Sequence, residues 1–148
     1  QTVFNKIAES KLVTMAAIHG PAVAGGCELA LACDLRVVGP LARVSLPEVS
    51  HGLIPAAGGC YRMVELMGAS VARGMIIGGM SLSAEDAMRL GLAHQFADPP
   101  LTHAMTWAQE LAAHSPAAIQ AAKRTLRTPS LKKEREEEDS LVALKRQQ

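Results

Sequence analysis

Aromatic side chains are scarce in this sequence. One Trp, one Tyr and two Phe make up 3% of its 148 residues. The core therefore has to be assembled from Ala, Val, Leu, Ile and Met, which suits closely packed helices and sheet. The same scarcity argues against a stacking platform for nucleic-acid bases. An excess of one charge sign is missing too. Fifteen basic and fourteen acidic residues leave a net charge of +1, which is no electrostatic footprint for DNA or RNA. No run approaches the roughly 18 consecutive apolar residues of a membrane span, and no basic-then-apolar leader opens the chain. Cysteine is sparse and odd in number: Cys27, Cys33 and Cys60. Without a tight pairing pattern they read as reduced thiols of a reducing compartment. The interval between Cys27 and Cys33 is not a zinc spacing, and all three are expected as small buried apolar fillers. The five histidines (His19, His51, His94, His103, His114) form no ligand spacing, so no metal site is expected.

What the sequence does contain is a 49% apolar, 20% charged composition of the globular kind. A chain of this length can bury roughly 70% of its unfolded surface. Its charge is unevenly spread. Residues 132–139 read KKEREEED, a run that suits a solvated helix face, whereas residues 12–33 carry Glu28 as their one formal charge.

Strand and helix signals alternate through the first hundred residues. Phe4 to Ser10 reads as the end of a helix. The apolar run 13–18, bounded by Gly20-Pro21, reads as a buried strand ending in a turn. Helix-forming residues 27–33 follow Gly25-Gly26, then come strands at 35–38 and 44–46, the latter stopped by Pro47. Residues 48–59 are loop-like. Helices are expected over 60–67 and 71–77, split at Gly68. Ser83 can cap a helix whose first turn holds Glu85 and Asp86, and Gly91 is placed to end it. A last short strand is expected over Leu92 to Phe96. Pro99-Pro100 reads as a linker into a helical remainder, with breaks near Ser115-Pro116 and Pro129. The pattern is α/β with a helical C-terminal region, divided here as a core over 1–98 and a helical region over 99–148.

One segment suggests chemistry. A strand runs through a glycine turn directly into a helix, so the N–H groups of Gly25 and Gly26 lie at the positive helix end, where anionic charge is stabilised. The segment is neither a P-loop, since Gly26-Cys27 stands where Lys-Ser/Thr is required, nor a G-x-G-x-x-G fingerprint. An oxyanion hole is the sharper reading, and a tight turn packing helix on strand is the plainer one. Glu28 and Glu48 taken separately have equally plain roles, as a first-turn acid and a loop acid. Cys60 has no basic neighbour to activate it, and Ser45 and Ser50 lack a G-x-S-x-G context.

As a set, these residues resemble a known pattern. The segment VTMAAIHGPAVAGGCELALACD (residues 13–34) is followed by Arg36-Val37, Pro47-Glu48, Gly52-Leu53-Ile54-Pro55, Gly58-Gly59 and Arg62. Further on come Leu82-Ser83-Ala84-Glu85-Asp86-Ala87 and Gly91-Leu92. Over roughly Lys11 to Lys123 this order and spacing resembles the enoyl-CoA hydratase/isomerase (crotonase) family.

The resemblance implies the second half of a ββα spiral core with a helical C-terminal region. Gly25 falls where the family supplies an oxyanion-hole N–H for a thioester carbonyl. Glu28 and Glu48 fall on the two acid/base glutamates of the hydratase branch, Glu28 toward water and Glu48 toward carbon. Two nearby carboxylates can divide these tasks when one of them holds a proton. Ala56 falls where an N–H helps hold the catalytic water. Ala56 and Ala24 stand where the family usually has glycine, and Leu53 belongs to the same pocket. The implied substrate is an acyl-CoA thioester, with no cofactor and no nucleic-acid or membrane partner. The implied assembly is a homotrimer or homohexamer, and the implied location is cytoplasmic, or the mitochondrial matrix in a eukaryote. Isomerisation in the same pocket and a non-catalytic scaffold role are the alternatives. Family members are longer, so residues 1–148 alone are expected to be inactive or poorly folded.

Overall fold

The computed structural model describes residues 2–127 and 131–146, with the side chains of 131–134 left aside. Two small sheets and seven helices carry the described chain. Helix α1 (Thr2–Ala8) leads into β1 (Met15–Ile18), then β2 (Pro21–Val23), α2 (Gly25–Ala32), β3 (Leu35–Val38) and β4 (Arg43–Ser45). A 3-10 turn over Glu48–His51 and a loop precede α3 (Gly59–Ile76). Then follow β5 (Ser81–Ser83), α4 (Ala84–Arg89), β6 (Gln95–Phe96), α5 (Pro100–Ala112), α6 (Pro116–Arg127) and α7 (Leu131–Lys145).

The first sheet is parallel in the order β1-β3-β6, with Met15 opposite Leu35 and Val37 opposite Gln95. The second runs β2-β4-β5, parallel between β2 and β4 and antiparallel between β4 and β5. Between them lies a core of aliphatic and sulfur side chains, among them Ile18, Leu31, Val44, Leu46, Met63, Met75 and Leu82. This is the aromatic-poor core that the composition requires.

Several expectations hold. Gly68 adopts φ 75°, ψ 163° and divides α3 into two helical runs. Ser83 and Asp86 form a reciprocal capping box, and Gly91 takes φ 81° just past α4. Ser115 separates α5 from α6 and bonds the Ala118 N–H through its hydroxyl at 3.4 Å. The break expected near Pro129 lies outside the described residues. Of the acidic run, Arg135, Glu136, Glu138 and Asp139 are exposed, while Glu137 pairs with Arg124 at 2.7 Å.

Other expectations need correction. Pro21 was expected in a turn but opens strand β2, where its ring sits at the first residue of an edge strand and its missing N–H costs no ladder bond. The 81–83 segment forms a strand as well as a cap. Pro100 is not linker: it begins α5, where a helix does not use its N–H, and it packs on Gly39, at which a Cβ would lie 3.2 Å from the proline ring. Helix α5 then packs against β1 and β3. Cys27 is fully buried, but Cys33 and Cys60 are half-buried.

Arg36 locks these layers. It is 3% exposed, and its guanidinium donates to the Leu92 carbonyl at 2.6 Å, Cys33 at 2.7 Å and Ala30 at 3.2 Å. Two of those carbonyls close the C-terminal end of α2. Beside it Asp34 accepts from the Thr14 N–H at 2.7 Å and from Lys123 of α6 at 2.5 Å. Arg36→Met would strand the three carbonyls in the interior. The expected loss is on the order of 3 kcal/mol of unfolding free energy, read by urea denaturation.

Candidate active site

The first turn of α2 places Glu28 in the interior, 4% exposed. A buried carboxylate needs donors. Its Oε1 accepts the Ala57 N–H at 2.7 Å and the Gly59 N–H at 2.9 Å. Ala57 lies in the loop that leads into α3, and Gly59 is the first residue of that helix. Glycine at position 59 permits this approach: a Cβ there would lie 2.9 Å from Glu28 Oε1 and 2.7 Å from Pro55 Cβ. Glu28 Oε2 receives no hydrogen bond from the described residues.

Glu48 opens the 3-10 turn after Pro47, and Gly52 closes it at φ 73° by donating to the carbonyls of Glu48 and Val49. Its Oε2 is buried without a hydrogen-bond partner among the described residues. Such an atom, left without a partner, costs about 1–3 kcal/mol.

Two thiols register both carboxylates. Burial first, then the charges of Glu48 and Glu28, push the Cys27 thiol up to about 12, against the opposing pull of Arg36. Burial and the same two carboxylates also raise Cys60. Cys27 lies on α2 and Cys60 on α3, so the two acids share one small region where these helices meet.

Gly25 and Gly26 begin α2, where first-turn N–H groups have no intrahelical acceptor. Both are exposed, and a Cβ built at either meets nothing within 4 Å. The front of these peptides is open. Ala24 before them adopts φ 52°, ψ −120°, a conformation that L-residues rarely take. It is fastened at both ends: its N–H donates to the Ser45 carbonyl, and its carbonyl accepts from the Glu28 N–H, each at 3.0 Å.

The structure thus gathers Glu28, Glu48 and the Ala24-Gly25 turn around the start of α2. Ala56 is exposed beside Ala57, and Leu53 is 64% exposed on the same loop. Sequence reasoning missed Ala57 and Gly59 as the donors that hold Glu28, because a backbone N–H leaves no trace in side-chain identity. The one available signal was the Gly58-Gly59 pair, a close-approach signature. No group of three or more His, Cys, Asp or Glu side chains among the described residues could hold a metal ion.

Two measurements check this geometry. Gly59→Ala forces the Glu28 carboxylate or Pro55 to move and is expected to cost about 1–3 kcal/mol in thermal or urea unfolding. Cys27 titrates in the fold above its ordinary 9.0. Its contribution to stability is therefore complete below pH 9 and is lost as pH rises toward 12. Cys27→Ala is expected to flatten the alkaline fall in stability across that window, followed by urea unfolding at stepped pH.

A family described as enoyl-CoA hydratase/isomerase matches residues 1–144. The 2,3-dehydroadipyl-CoA hydratase of Escherichia coli (strain K12) is 44% identical over 115 residues, covering 76% of this chain and 45% of that protein. The short-chain-enoyl-CoA hydratase of Clostridium acetobutylicum is 31% identical over 126 residues, covering 84% of this chain and 48% of that protein. The chain therefore spans about half the length of the curated relatives it matches. An enoyl-CoA hydratase candidate from Thermobifida fusca YX, crystallised in complex with CoA, superposes with a TM-score of 0.90 at 25% identity, over 98% of this chain and 60% of that one. By this match over almost its whole length, and with the α/β crotonase-type fold, the chain belongs to the enoyl-CoA hydratase/isomerase family.

Proposed function

We propose that the protein is an enoyl-CoA hydratase that adds water across the double bond of a 2-enoyl-CoA thioester, and that this chain carries its acid/base residues. The observation that carries the reading is the unequal state of two neighbouring carboxylates. One oxygen of Glu28 is held by two backbone N–H groups, while the buried Oε2 of Glu48 has no partner among the described residues. Hydration needs one group to take a proton from water and another to deliver one to the α carbon. Glu28 takes the first role, with Oε1 anchored and Oε2 free to meet water. Glu48 takes the second.

Gly25 offers its N–H to the thioester oxygen, where negative charge develops. Losing such a donor costs about 3 kcal/mol of barrier. Ala56 supplies an N–H to the water, and Ala24 and Leu53 shape the pocket. The steps are proton transfer and addition, so the proposal includes no cofactor. The hydratase names of the two curated relatives and the CoA bound to the Thermobifida protein support an acyl-CoA substrate.

We also propose assembly as homotrimers or homohexamers, supported by the exposed apolar side chains Leu101 and Met105 on α5 and Val142 and Leu144 on α7. A reducing, cytoplasmic-type compartment suits the free cysteines. No helix among the described residues is long and apolar enough to cross a membrane.

The test follows the loss of enoyl-thioester absorbance with the complete protein. Glu28→Gln and Glu48→Gln are each expected to lower kcat by about 10²- to 10⁴-fold. An unchanged rate in either variant rejects that residue's role.

A further inference from the structure

Arg62 lies in α3, outside the acid/base pair, yet the residue is 5% exposed. No carboxylate pairs with it among the described residues. Nη1 donates to the Ala57 carbonyl at 3.0 Å, and Nη2 donates to Asn5 Oδ1 of α1 at 2.7 Å. The guanidinium carbon also stands 4.8 Å from the Tyr61 ring centroid, and the Tyr61 hydroxyl donates to the same Asn5 oxygen at 3.3 Å. This cluster clasps α1 to the loop before α3.

The loop shows what the clasp does. Three successive peptide units run from Ala56 to Gly59. The first and third present the N–H groups of Ala57 and Gly59 to Glu28 Oε1. The middle one presents its carbonyl to Arg62. The middle and third units meet at Gly58, which adopts φ 108°. Glycine there is free to pivot, and a Cβ at that position would lie 2.2 Å from Arg62 Nη1. So little room shows that the guanidinium lies close against the pivot. Two donors aimed at Glu28 are thus set by one acceptor aimed at Arg62.

We propose that Arg62 is a positioning residue for Glu28, itself held by Asn5, so that α1 sets the angle of the Glu28 carboxylate through the Ala57–Gly59 peptides. The consequence for rate rests on the hydratase reading above, whereas the geometric consequence does not.

The experiment uses the complete protein with Arg62→Met, Arg62→Lys, Asn5→Ala and, as control, Lys6→Ala on the exposed side of α1. Two quantities are read: steady-state hydration of an enoyl-CoA, and the amide proton shifts of Ala57 and Gly59 by NMR. Arg62→Met is expected to lower kcat about 100-fold, as for a displaced catalytic group, with KM within about threefold. Arg62→Lys recovers about tenfold of that loss, since an ammonium still reaches one acceptor. Asn5→Ala costs about tenfold, and Lys6→Ala leaves the rate unchanged. Both amide protons move upfield in Arg62→Met and Asn5→Ala, as they do in Glu28→Gln.

If Arg62→Met fails to fold, Arg62→Lys and Asn5→Ala decide. The proposal is overturned if these two melt like the parent protein and leave kcat and both amide shifts in place. It is also overturned if the amide shifts stay fixed in a protein that hydrates no enoyl-CoA. Shifts that move in such a protein uphold the positioning role while the hydratase reading falls.

Discussion

A buried guanidinium whose hydrogen bonds among the described residues all go to backbone carbonyls organises this molecule. Arg36 reaches backbone carbonyls at the end of α2 and after α4. Burial lowers its pKa from the ordinary arginine value, and only a full set of acceptors keeps such a charge tolerable inside a protein. Because two of those acceptors are the terminal carbonyls of α2, the charge also complements the negative end of that helix. The axis of α2 is thereby fixed at one end. Its other end then delivers the Gly25 turn and Glu28 to their places. Asp34, tied to Thr14 and Lys123, binds the neighbouring strand starts to α6.

The site follows from this placement by a division of labour between helices. Helix α2 supplies Glu28, and the loop before α3 supplies its donors. The 3-10 turn after β4 supplies Glu48. Each acid reaches the shared region from a different element, and the Cys27 and Cys60 thiols record both charges. Cys27 lies between α2 and the core, too buried and too crowded by negative charge to serve as a nucleophile.

The order of elements was legible in the residues wherever a period or a cap spans several positions. The 35–38 strand, the Ser83 cap, the Gly68 break and the Gly91 stop came from local chemistry that tertiary packing did not override. The short strands Pro21–Val23 and Ser81–Ser83 did not: three residues carry no period, and their partners lie twenty or more residues away. Pro100 was misread because a proline that starts a helix and one that ends a segment look alike without the element that follows. The register of Glu28 and Glu48 with Gly25 and Pro47 made it legible that both carboxylates come to one region, and their roles there are the ones proposed above. The way Glu28 is held was not legible, since Ala57, Gly59 and the carbonyl that engages Arg62 contribute only backbone.

Ala24 carries the last consequence. A side chain forced to φ 52° holds conformational energy, about 1–3 kcal/mol for residues in such sparsely populated regions. Its two flanking hydrogen bonds keep that energy from being released. The Gly25 peptide is therefore oriented during folding, before any ligand is present. On the proposed hydratase reading, an incoming oxyanion would meet a dipole that need not rotate, the reorganisation that bulk water would require having already been met by the fold.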